Sequence, residues 1–318
     1  MRGAFLDLDT VSHEGDVDLT PLRQVLADLR TFSTTPAEQV LQRVDDMEVL
    51  LTNKVKLGAA TLARFTRVRL VCIAATGTNN VDLDAARSRG IAVTNVPAYS
   101  TLSVVQQVFA LILGLTQHLR EYEALLQRGI WRRAPQFTLL DYPIRELAGK
   151  KLGILGYGDI GKAVAKVAEA LGMQILLGAR NADDQRPDRL PLPELLTQVD
   201  VLTIHVPLLP ETRNLIGAKE LALMKHDALL INCARGGIVD EQALADALRA
   251  HRLGGAGVDV LSEEPPVHGN PLLTPGIPNL IITPHIAWAT REARQRVINE
   301  MASNISAFAK GEKRNRVA

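Results

Sequence analysis

KLGILGYGDIG, residues 151–161, is the stretch that decides the fold of this 318-residue chain. An apolar run leads into glycines at positions 156, 158 and 161, and AVAKVAEALG then continues with helical spacing. Gly156 suits a tight turn, Gly158 lets a pyrophosphate approach the backbone, and Gly161 allows close packing of helix on strand. The anion would bind the amides at the start of the helix. Because strand, spacing and helix agree, the stretch predicts dinucleotide binding; the alternative is a strand–helix turn that merely favours glycine.

Strand and helix patterns alternate along almost the whole chain. The candidate strands are Ala4–Leu8, Glu48–Leu51, Arg69–Ile73, Ile91–Thr94, Lys151–Leu155, Gln174–Gly178, Asp200–His205, Ala228–Asn232, Gly255–Asp259 and Leu280–Thr283. Two long helical patterns cover Thr101–Gln127 and Arg291–Lys310. Several strands are continuous Val, Ile and Leu runs, which are typical of strands buried on both faces of a parallel sheet. The pattern predicts an α/β fold with two doubly wound parallel-sheet, Rossmann-like domains and an active-site cleft between them.

The last helical pattern defines the domain organisation. No strand follows it, so we expect it to pack back on the first domain, which then contains both chain ends. The predicted substrate domain comprises residues 1–98 and 288–318, and the predicted dinucleotide-binding domain comprises residues 99–287. An irregular stretch, GIWRRAPQFTLLDYPIRELAG, separates the long helical pattern from the glycine loop.

Composition excludes several classes of protein. Thirty-six basic and 35 acidic side chains give a net charge of +1, so nucleic-acid binding is not expected. The two cysteines, Cys72 and Cys233, lie far apart, which argues against disulfides and for the reducing cytoplasm. No apolar run reaches the ~20 residues of a membrane span, and no cluster has metal-ligand spacing. We therefore expect a cytoplasmic protein without a membrane segment or a metal site.

The residue at the end of the second strand bears on the choice of cofactor. A NAD site normally has an Asp or Glu about 20 residues beyond the glycine loop, accepting from the ribose 2′-hydroxyl. Here QILLGAR ends in Arg180, whose guanidinium can pair with a 2′-phosphate. The pattern favours NADP over NAD. The alternative is that Arg180 is a solvated surface residue and that Asp183 or Asp184 binds the ribose of NAD.

Two further polar residues follow strands of the second series. Arg235 comes after LLINCA, and His285 comes after LIITP. Ligands of open α/β sheets bind at such carboxyl ends. A histidine suits proton transfer near neutral pH, and the planar fork of an arginine can bind a carboxylate and a carbonyl oxygen together. Taken singly, His285 fits a residue at the edge of a core and Arg235 fits a surface residue paired with a carboxylate.

Four segments in order resemble a known family. NCARGGIVDEQAL from Asn232, GAGVDVLSEEPP from Gly255 and TPHIAWAT from Thr283, together with the glycine loop, resemble the D-isomer-specific 2-hydroxyacid dehydrogenases. The resemblance extends over essentially the whole chain. ATGTNNVDLDAARSRGIAVTNVPAYST, residues 75–101, and HIAWAT are similar to the glycerate dehydrogenase/hydroxypyruvate reductase branch. The resemblance implies a reductase of hydroxypyruvate and glyoxylate, and Arg180 favours NADP as its cofactor.

The resemblance also implies catalytic roles. His285 would donate the proton to the substrate carbonyl, Glu264 would keep that histidine charged, and Arg235 would bind the substrate. Glu264 alone fits a solvated acid before a proline turn, and Glu263 is its rival as the partner of the histidine. The position immediately before Pro265 favours Glu264 through the family pattern only.

Candidate substrate residues lie in both predicted domains. Ala75, Thr76 and Gly77 end the strand RLVCIA and expose successive amides, a nest that suits a substrate carboxylate; a plain glycine turn is the alternative. Asn79 stands where many relatives have Asp. Trp288 either forms a wall of the substrate pocket or packs in a core.

The remaining site residues follow from the resemblance. Ile160 would cover the adenosine, Asp259 would hold the nicotinamide carboxamide, and Cys233 would contribute its backbone. His205 would line the cofactor site without transferring protons. The full set of expected cofactor contacts is Thr101, Val104, Gly156, Gly158, Asp159, Ile160, Gly161, Arg180, His205, Val206, Pro207, Thr212, Cys233, Ala234, Arg235, Asp259 and His285.

Oligomeric state and competing functions complete the expectations. Trp131 lies in the irregular segment, which in relatives exchanges between subunits, so we expect a homodimer. One alternative function is a NAD-dependent dehydrogenase of another D-2-hydroxy acid, such as lactate or phosphoglycerate. A phosphorylated substrate would require added basic residues, and Asn79 and Asn80 supply none. The other alternative is a dinucleotide-sensing binding protein similar to a corepressor.

Overall fold

A computed structural model describes residues 1–181, 183–184 and 186–318. These residues form two compact units, the first comprising Met1–Ser100 and Trp288–Ala318, the second comprising Thr101–Ala287. The chain leaves the first unit after Ser100, whereas the sequence placed that boundary after Ala98. The chain returns to the first unit between Ala287 and Trp288.

The strands and helices, each numbered in chain order, have the following bounds. The strands are β1 (Arg2–Phe5), β2 (Asp28–Thr31), β3 (Val49–Thr52), β4 (Leu70–Ile73), β5 (Ala92–Thr94), β6 (Lys151–Leu155), β7 (Gln174–Leu177), β8 (Val201–Ile204), β9 (Leu229–Asn232), β10 (Gly255–Val258) and β11 (Leu280–Ile282). The helices are α1 (Thr20–Val25), α2 (Val40–Val44), α3 (Ala59–Leu62), α4 (Leu83–Ser88), α5 (Thr101–Thr116), α6 (Leu119–Gln127), α7 (Asp159–Ala170), α8 (Leu192–Gln198), α9 (Ala218–Leu223), α10 (Glu241–Arg249) and α11 (Arg291–Ala309).

The first unit is built on a parallel sheet with the strand order β2-β1-β3-β4-β5 in the described part of the chain. Successive residues of β3 enter opposite cores: Val49 and Leu51 pack with α11, whereas Leu50 packs with α2 and α4. The strand β2 was not predicted. It is an edge strand with the polar sequence DLRT and no fully buried residue, so it lacks the apolar run that marks the other strands.

A buried carboxylate fills the point where the strand order of this first sheet reverses. Asp7 follows β1 and accepts hydrogen bonds from the backbone amides of Asn53 (2.9 Å), Lys54 (2.6 Å) and Val55 (3.2 Å), which follow β3. Amides in such a crevice are a usual anion-binding feature of doubly wound sheets. In this unit the anion is part of the chain.

The second unit has the strand order β11-β10-β9-β8-β6-β7, with parallel pairing throughout the described strands. Leu229 and Ile231 of β9 enter one core with α5 and α7, and Leu230 enters the other with α8 and α10. Helices therefore cover both faces of the sheet. The predicted class, two doubly wound parallel-sheet units, is confirmed. The order reverses between β6 and β8, so ligands are expected beyond the carboxyl ends of these two strands.

The long helix predicted for residues 101–127 is in fact two helices. His118 has a φ of 49°, a left-handed conformation that cannot continue a right-handed helix, and the axes of α5 and α6 differ by 56°. Among the residues described, no single helix has the length and apolar character of a membrane span, and only this bent pair reaches that size when its two members are combined.

Candidate active site

The glycine loop connects β6 to α7, and its three glycines meet very different surroundings. Gly156 has a φ of 95°, and a Cβ there would lie 2.5 Å from the carbonyl oxygen of His205. A Cβ on Gly161 would overlap the carbonyl oxygen of Gly156. At Gly158, by contrast, nothing lies within 4 Å of the place that a Cβ would take. Two glycines are thus required by packing, while the third leaves open space.

That open space adjoins the start of α7. Asp159 and Ile160 lie in the first turn, where backbone amides have no acceptor within the helix. The side chain of Asp159 is exposed, and Ile160 packs against the core formed by α5 and α7. An open backbone cradle beside free helix amides fits the pyrophosphate of a dinucleotide. The residues present therefore fit this group.

The loop after β8 lies next to the glycine loop. The amide of His205 donates to the carbonyl of Leu155 at 2.6 Å, and burial lowers the pKa of the His205 imidazole to about 4. The ring is therefore neutral at physiological pH, with Nε2 3.0 Å from the hydroxyl of Thr203. Val206 and Pro207 continue this loop. The hydroxyl of Thr212 closes it by donating to the carbonyl of Pro207 at 2.7 Å.

Charged residues follow β7. The Asp184 carboxylate accepts from the amide of Arg180 (2.8 Å) and from Nε (2.7 Å) and Nη2 (2.6 Å) of Arg186. Hydrogen bonds hold the pKa of Asp184 well below its usual range; those from the Arg186 side chain have the largest effect, and that from the Arg180 amide the second largest. The Arg180 side chain itself is exposed. Arg189, in the same loop, stacks its guanidinium on Tyr157 of the glycine loop, 5.2 Å from the ring centroid. Sequence reasoning missed Arg186 and Arg189, although both are visible as repeated arginines in RNADDQRPDR.

The predicted histidine–carboxylate pair is formed. Nδ1 of His285 lies 2.6 Å from Oε2 of Glu264, and Oε1 of Glu264 accepts from the amide of Leu261 at 2.9 Å. The rival acid, Glu263, contacts His268 instead, at 2.6 Å. The geometry therefore separates two adjacent acids that the sequence separated only by resemblance.

Asp259 fixes the turn that carries His285. Its carboxylate, 1% exposed, accepts from the hydroxyl of Thr283 (2.5 Å) and the amides of Ile286 (3.0 Å) and Ala287 (2.8 Å). Burial raises the pKa of Asp259, and these hydrogen bonds oppose that rise. The backbone of His285 has a φ of 55°, and its amide donates to the carbonyl of Asp259 at 2.8 Å. The expected contact of Asp259 with a nicotinamide carboxamide stays a prediction.

Two side chains in the first turns of α5 donate hydrogen bonds to residues that flank His285. Nε2 of Gln107 donates to the Thr283 hydroxyl at 3.1 Å, and the Ser103 hydroxyl donates to the carbonyl of Ala287 at 2.6 Å. The expected cofactor residues Thr101 and Val104 lie on this helix, and the side chain of Val104 is buried in the core. Neither Gln107 nor Ser103 was predicted, because a polar residue inside a helix gives no local sign of its partner.

Arg235 follows β9 in a turn that Asn232 holds. Nδ2 of Asn232 donates to the carbonyl of Arg235 at 3.0 Å, and Oδ1 accepts from the amide of Ala234 at 3.1 Å. The guanidinium is exposed and uses Nη1 to reach the carbonyl of Ala234 at 2.7 Å. Within the turn, Cys233 is buried, which raises the pKa of its thiol well above the usual range, so it is no nucleophile at neutral pH. Gly236, which follows Arg235, has no room for a Cβ because the backbone of Leu261 lies against it. The turn therefore packs on the loop that carries Glu264.

In the first unit, Ala75, Thr76 and Gly77 follow β4. The Thr76 hydroxyl donates to the carbonyl of Val96 at 2.8 Å, which fixes the loop, and no acceptor for the Thr76 and Gly77 amides is found among the described residues. The loop thus has the features of the predicted nest. Trp288 is half-buried and packs edge-on against Tyr99, with ring centroids 6.3 Å apart. Packing is thus an observed role of Trp288, and a substrate contact stays a prediction.

Together, the open glycine loop at a strand reversal and the His285–Glu264 pair define a dinucleotide-dependent oxidoreductase. Residues 109–287 match the family described as D-isomer specific 2-hydroxyacid dehydrogenase, NAD binding domain. A glycerate dehydrogenase of Methylorubrum extorquens is 45% identical over 283 residues, 89% of each chain. A hydroxypyruvate reductase of Blautia hydrogenotrophica is 39% identical over 93% of this chain and 94% of the relative. An acyclic imino acid reductase solved with NADPH and D-arginine superposes with a TM-score of 0.87 at 25% identity, over the full length of both chains.

The chain belongs to the D-isomer-specific 2-hydroxyacid dehydrogenase family. It is an oxidoreductase with a nicotinamide dinucleotide as cofactor and a small hydroxy or oxo acid as substrate. The resemblance inferred from the sequence is confirmed at this level.

The glycine loop yields a prediction that separates ligand binding from folding. Gly158→Ala places a methyl group in the open cradle, so the Kd for NADPH should rise about tenfold or more while Tm stays unchanged. Gly161→Ala, the matched variant, should lower Tm because its methyl group meets the backbone of Gly156. Fluorescence titration and thermal unfolding measure the two effects. An unchanged NADPH affinity in Gly158→Ala would contradict the assignment of the cradle.

Proposed function

We propose that this enzyme reduces hydroxypyruvate, and also glyoxylate, to D-glycerate and glycolate with NADPH as the preferred reductant. The observation that carries the proposal is the 2.6 Å contact between His285 and Glu264 at the carboxyl end of β11. It provides a proton donor where ligands of this fold bind. The names of the two relatives, glycerate dehydrogenase and hydroxypyruvate reductase, support the substrate.

The chemistry is divided between the cofactor and the side chains. A bound reduced nicotinamide supplies the hydride for the 2-oxo carbon. Because Glu264 takes Nδ1 of His285, Nε2 is the ring nitrogen left to give a proton to the carbonyl oxygen. The Glu264 carboxylate stabilises the imidazolium until the proton is transferred, and it is itself held by the amide of Leu261. One hydride and one proton convert the 2-oxo acid to the 2-hydroxy acid.

Two elements are proposed to bind the substrate carboxylate. Arg235 is exposed, and in the part of the chain that the structure describes only its Nη1 has a protein acceptor, so Nη2 and Nε remain available for an anion. A guanidinium offers the paired donors that match a carboxylate. The Thr76 and Gly77 amides form the second element. Both assignments agree with the charge of a 2-oxo acid.

The preference for NADPH rests on the loop after β7. Arg180 is exposed at the strand end, so its guanidinium is available for a 2′-phosphate, whereas Arg186 in the same loop is paired with Asp184. Asp184, the alternative ribose ligand, already accepts from the Arg180 amide and the Arg186 guanidinium. A carboxylate saturated in this way is a poor acceptor for a ribose hydroxyl.

We further propose that the enzyme is a homodimer and works in the cytoplasm. Apolar side chains of the segment after α6 are exposed: Phe137 by 90%, Leu140 by 81% and Trp131 by 51%. They adjoin a cavity of about 360 Å³ lined mainly by apolar residues, which suits the same surface of a second copy. Both cysteines are buried and free of disulfides, which agrees with a reducing compartment.

The substrate assignment is tested by initial rates with hydroxypyruvate, glyoxylate and pyruvate. We expect hydroxypyruvate to give the highest kcat/KM, and we expect His285→Ala to lower kcat at least about 100-fold while the Kd for NADPH stays within about threefold. Pyruvate as the best substrate would instead indicate a lactate dehydrogenase. Tight cofactor binding without turnover of any 2-oxo acid would indicate the sensor function.

The cofactor preference is tested with Arg180→Gln. Loss of one charge-assisted contact to the 2′-phosphate should lower kcat/KM for NADPH about tenfold and leave that for NADH within about twofold. Arg249→Gln, on the exposed end of α10, is the matched control and should change neither value. Faster turnover with NADH in the wild-type enzyme would refute the preference.

The dimer is tested by sedimentation velocity. The wild-type enzyme should sediment at twice the chain mass of 34.6 kDa, and Phe137→Asp should shift it towards the monomer because a charge then replaces an exposed apolar group. Leu223→Asp, an exposed apolar position on α9, is the control and should leave the mass unchanged. A monomeric wild-type enzyme would exclude the proposed interface.

A further inference from the structure

The loop that carries Glu264 is closed by an acid with no role assigned so far. Glu241, the first residue of α10, accepts from the amide of Ser262 through Oε1 at 2.6 Å. Its Oε2 accepts from the Ser262 hydroxyl and from Nδ2 of Asn270, both at 2.6 Å. Ser262 precedes Glu264 and Asn270 follows it, so one carboxylate joins the two ends of the loop.

The N-cap hydrogen bond of α10 does not involve the Glu241 carboxylate. Asp240 is the N-cap of α10, and its side chain accepts from the amide of Ala243 at 2.9 Å. In the described part of the chain, the Glu241 side chain accepts its hydrogen bonds from Ser262 and Asn270 of the loop. The loop also packs, at Leu261, on the Gly236 backbone, which sets its position relative to β9.

We propose that Glu241 is a positioning residue for the proton donor, acting through Glu264. By fixing Ser262 it fixes the adjacent Leu261, whose amide holds Oε1 of Glu264 and so directs Oε2 to His285. The proposal rests on the proposed function of the His285–Glu264 pair. Glu241 itself contacts neither the histidine nor any reacting atom.

A substitution of nearly equal shape disrupts the clamp. In Glu241→Gln one oxygen becomes an NH₂ group, which then faces either the Ser262 amide or Nδ2 of Asn270, both donors. Asn270 cannot turn its oxygen towards the new group without loss, because Oδ1 accepts from the amide of Leu272 at 2.9 Å. One donor therefore loses its acceptor, and the loop is released at one end.

The electrostatic surroundings of His285 define a readout that a purely structural role would not move. Among the described residues, the carboxyl groups that interact with His285 are those of Glu264 and Asp259, whereas Glu263 of the same loop pairs with His268. Weaker contact with Glu264 makes the imidazolium easier to deprotonate. Its NMR titration midpoint should therefore fall by about half a pH unit or more in Glu241→Gln.

The rate of hydroxypyruvate reduction by Glu241→Gln should also fall, and more so at high pH. The proton donor is lost earlier as pH rises, so kcat/KM for hydroxypyruvate reduction should fall about tenfold near pH 8 but less than about threefold near pH 6. The Kd for NADPH should not change. Asp246→Asn, which changes an exposed acid on the same helix that contacts Gln242 and Arg249, is the matched control and should retain the wild-type profile.

The decisive comparison is a double-mutant cycle with Glu264→Gln. If Glu241 acts through Glu264, then adding Glu241→Gln to Glu264→Gln should leave the His285 midpoint unchanged within about 0.2 units. A further shift in the double variant, or an unchanged midpoint in Glu241→Gln alone, would overturn the proposal. If the His285 midpoint were the same in Glu264→Gln as in the wild type, the His285–Glu264 pairing of the proposed function would be refuted, and the positioning role of Glu241 with it.

Discussion

A buried carboxylate supports the whole catalytic arrangement. Asp259 has almost no contact with water, and burial of an ionised group costs several kcal/mol unless partners replace the solvent. Here one hydroxyl and two amides do so, and all three belong to the turn around His285. The interaction is therefore only satisfied when that turn has its left-handed conformation. The hydrogen bonds that satisfy Asp259 in the folded second unit thus also hold the turn that presents the proton donor.

Much of the fold could be predicted from the local sequence pattern. Most strands are short, continuous runs of apolar residues, which are typical of strands buried in a parallel sheet. The strand β2 lacks that signal, since an edge strand with the sequence DLRT buries little. The break at His118 was also invisible, because it involves neither glycine nor proline. In both cases the information lies in contacts made after folding and not in the local composition.

The candidate site shows the same division. Arg235 and His285 could be found because they follow strands whose carboxyl ends share one edge of a sheet. Glu263 and Glu264 could not be separated by sequence reasoning alone, since adjacent acids have the same chemistry and differ only in direction. The supporting residues were missed altogether. Gln107 and Thr283, for example, lie 176 positions apart, and nothing near either one indicates the other.

The two units share an architecture but differ in what lies at the reversal of strand order. In the second unit the glycine cradle is open; in the first, Asp7 already occupies the amides of Asn53, Lys54 and Val55. A tethered carboxylate at hydrogen-bonding distance has an effective concentration that a free phosphate cannot match. The crevice of the first unit is therefore already filled by a group of the chain itself, and the open glycine loop of the second unit is where we propose that the dinucleotide binds.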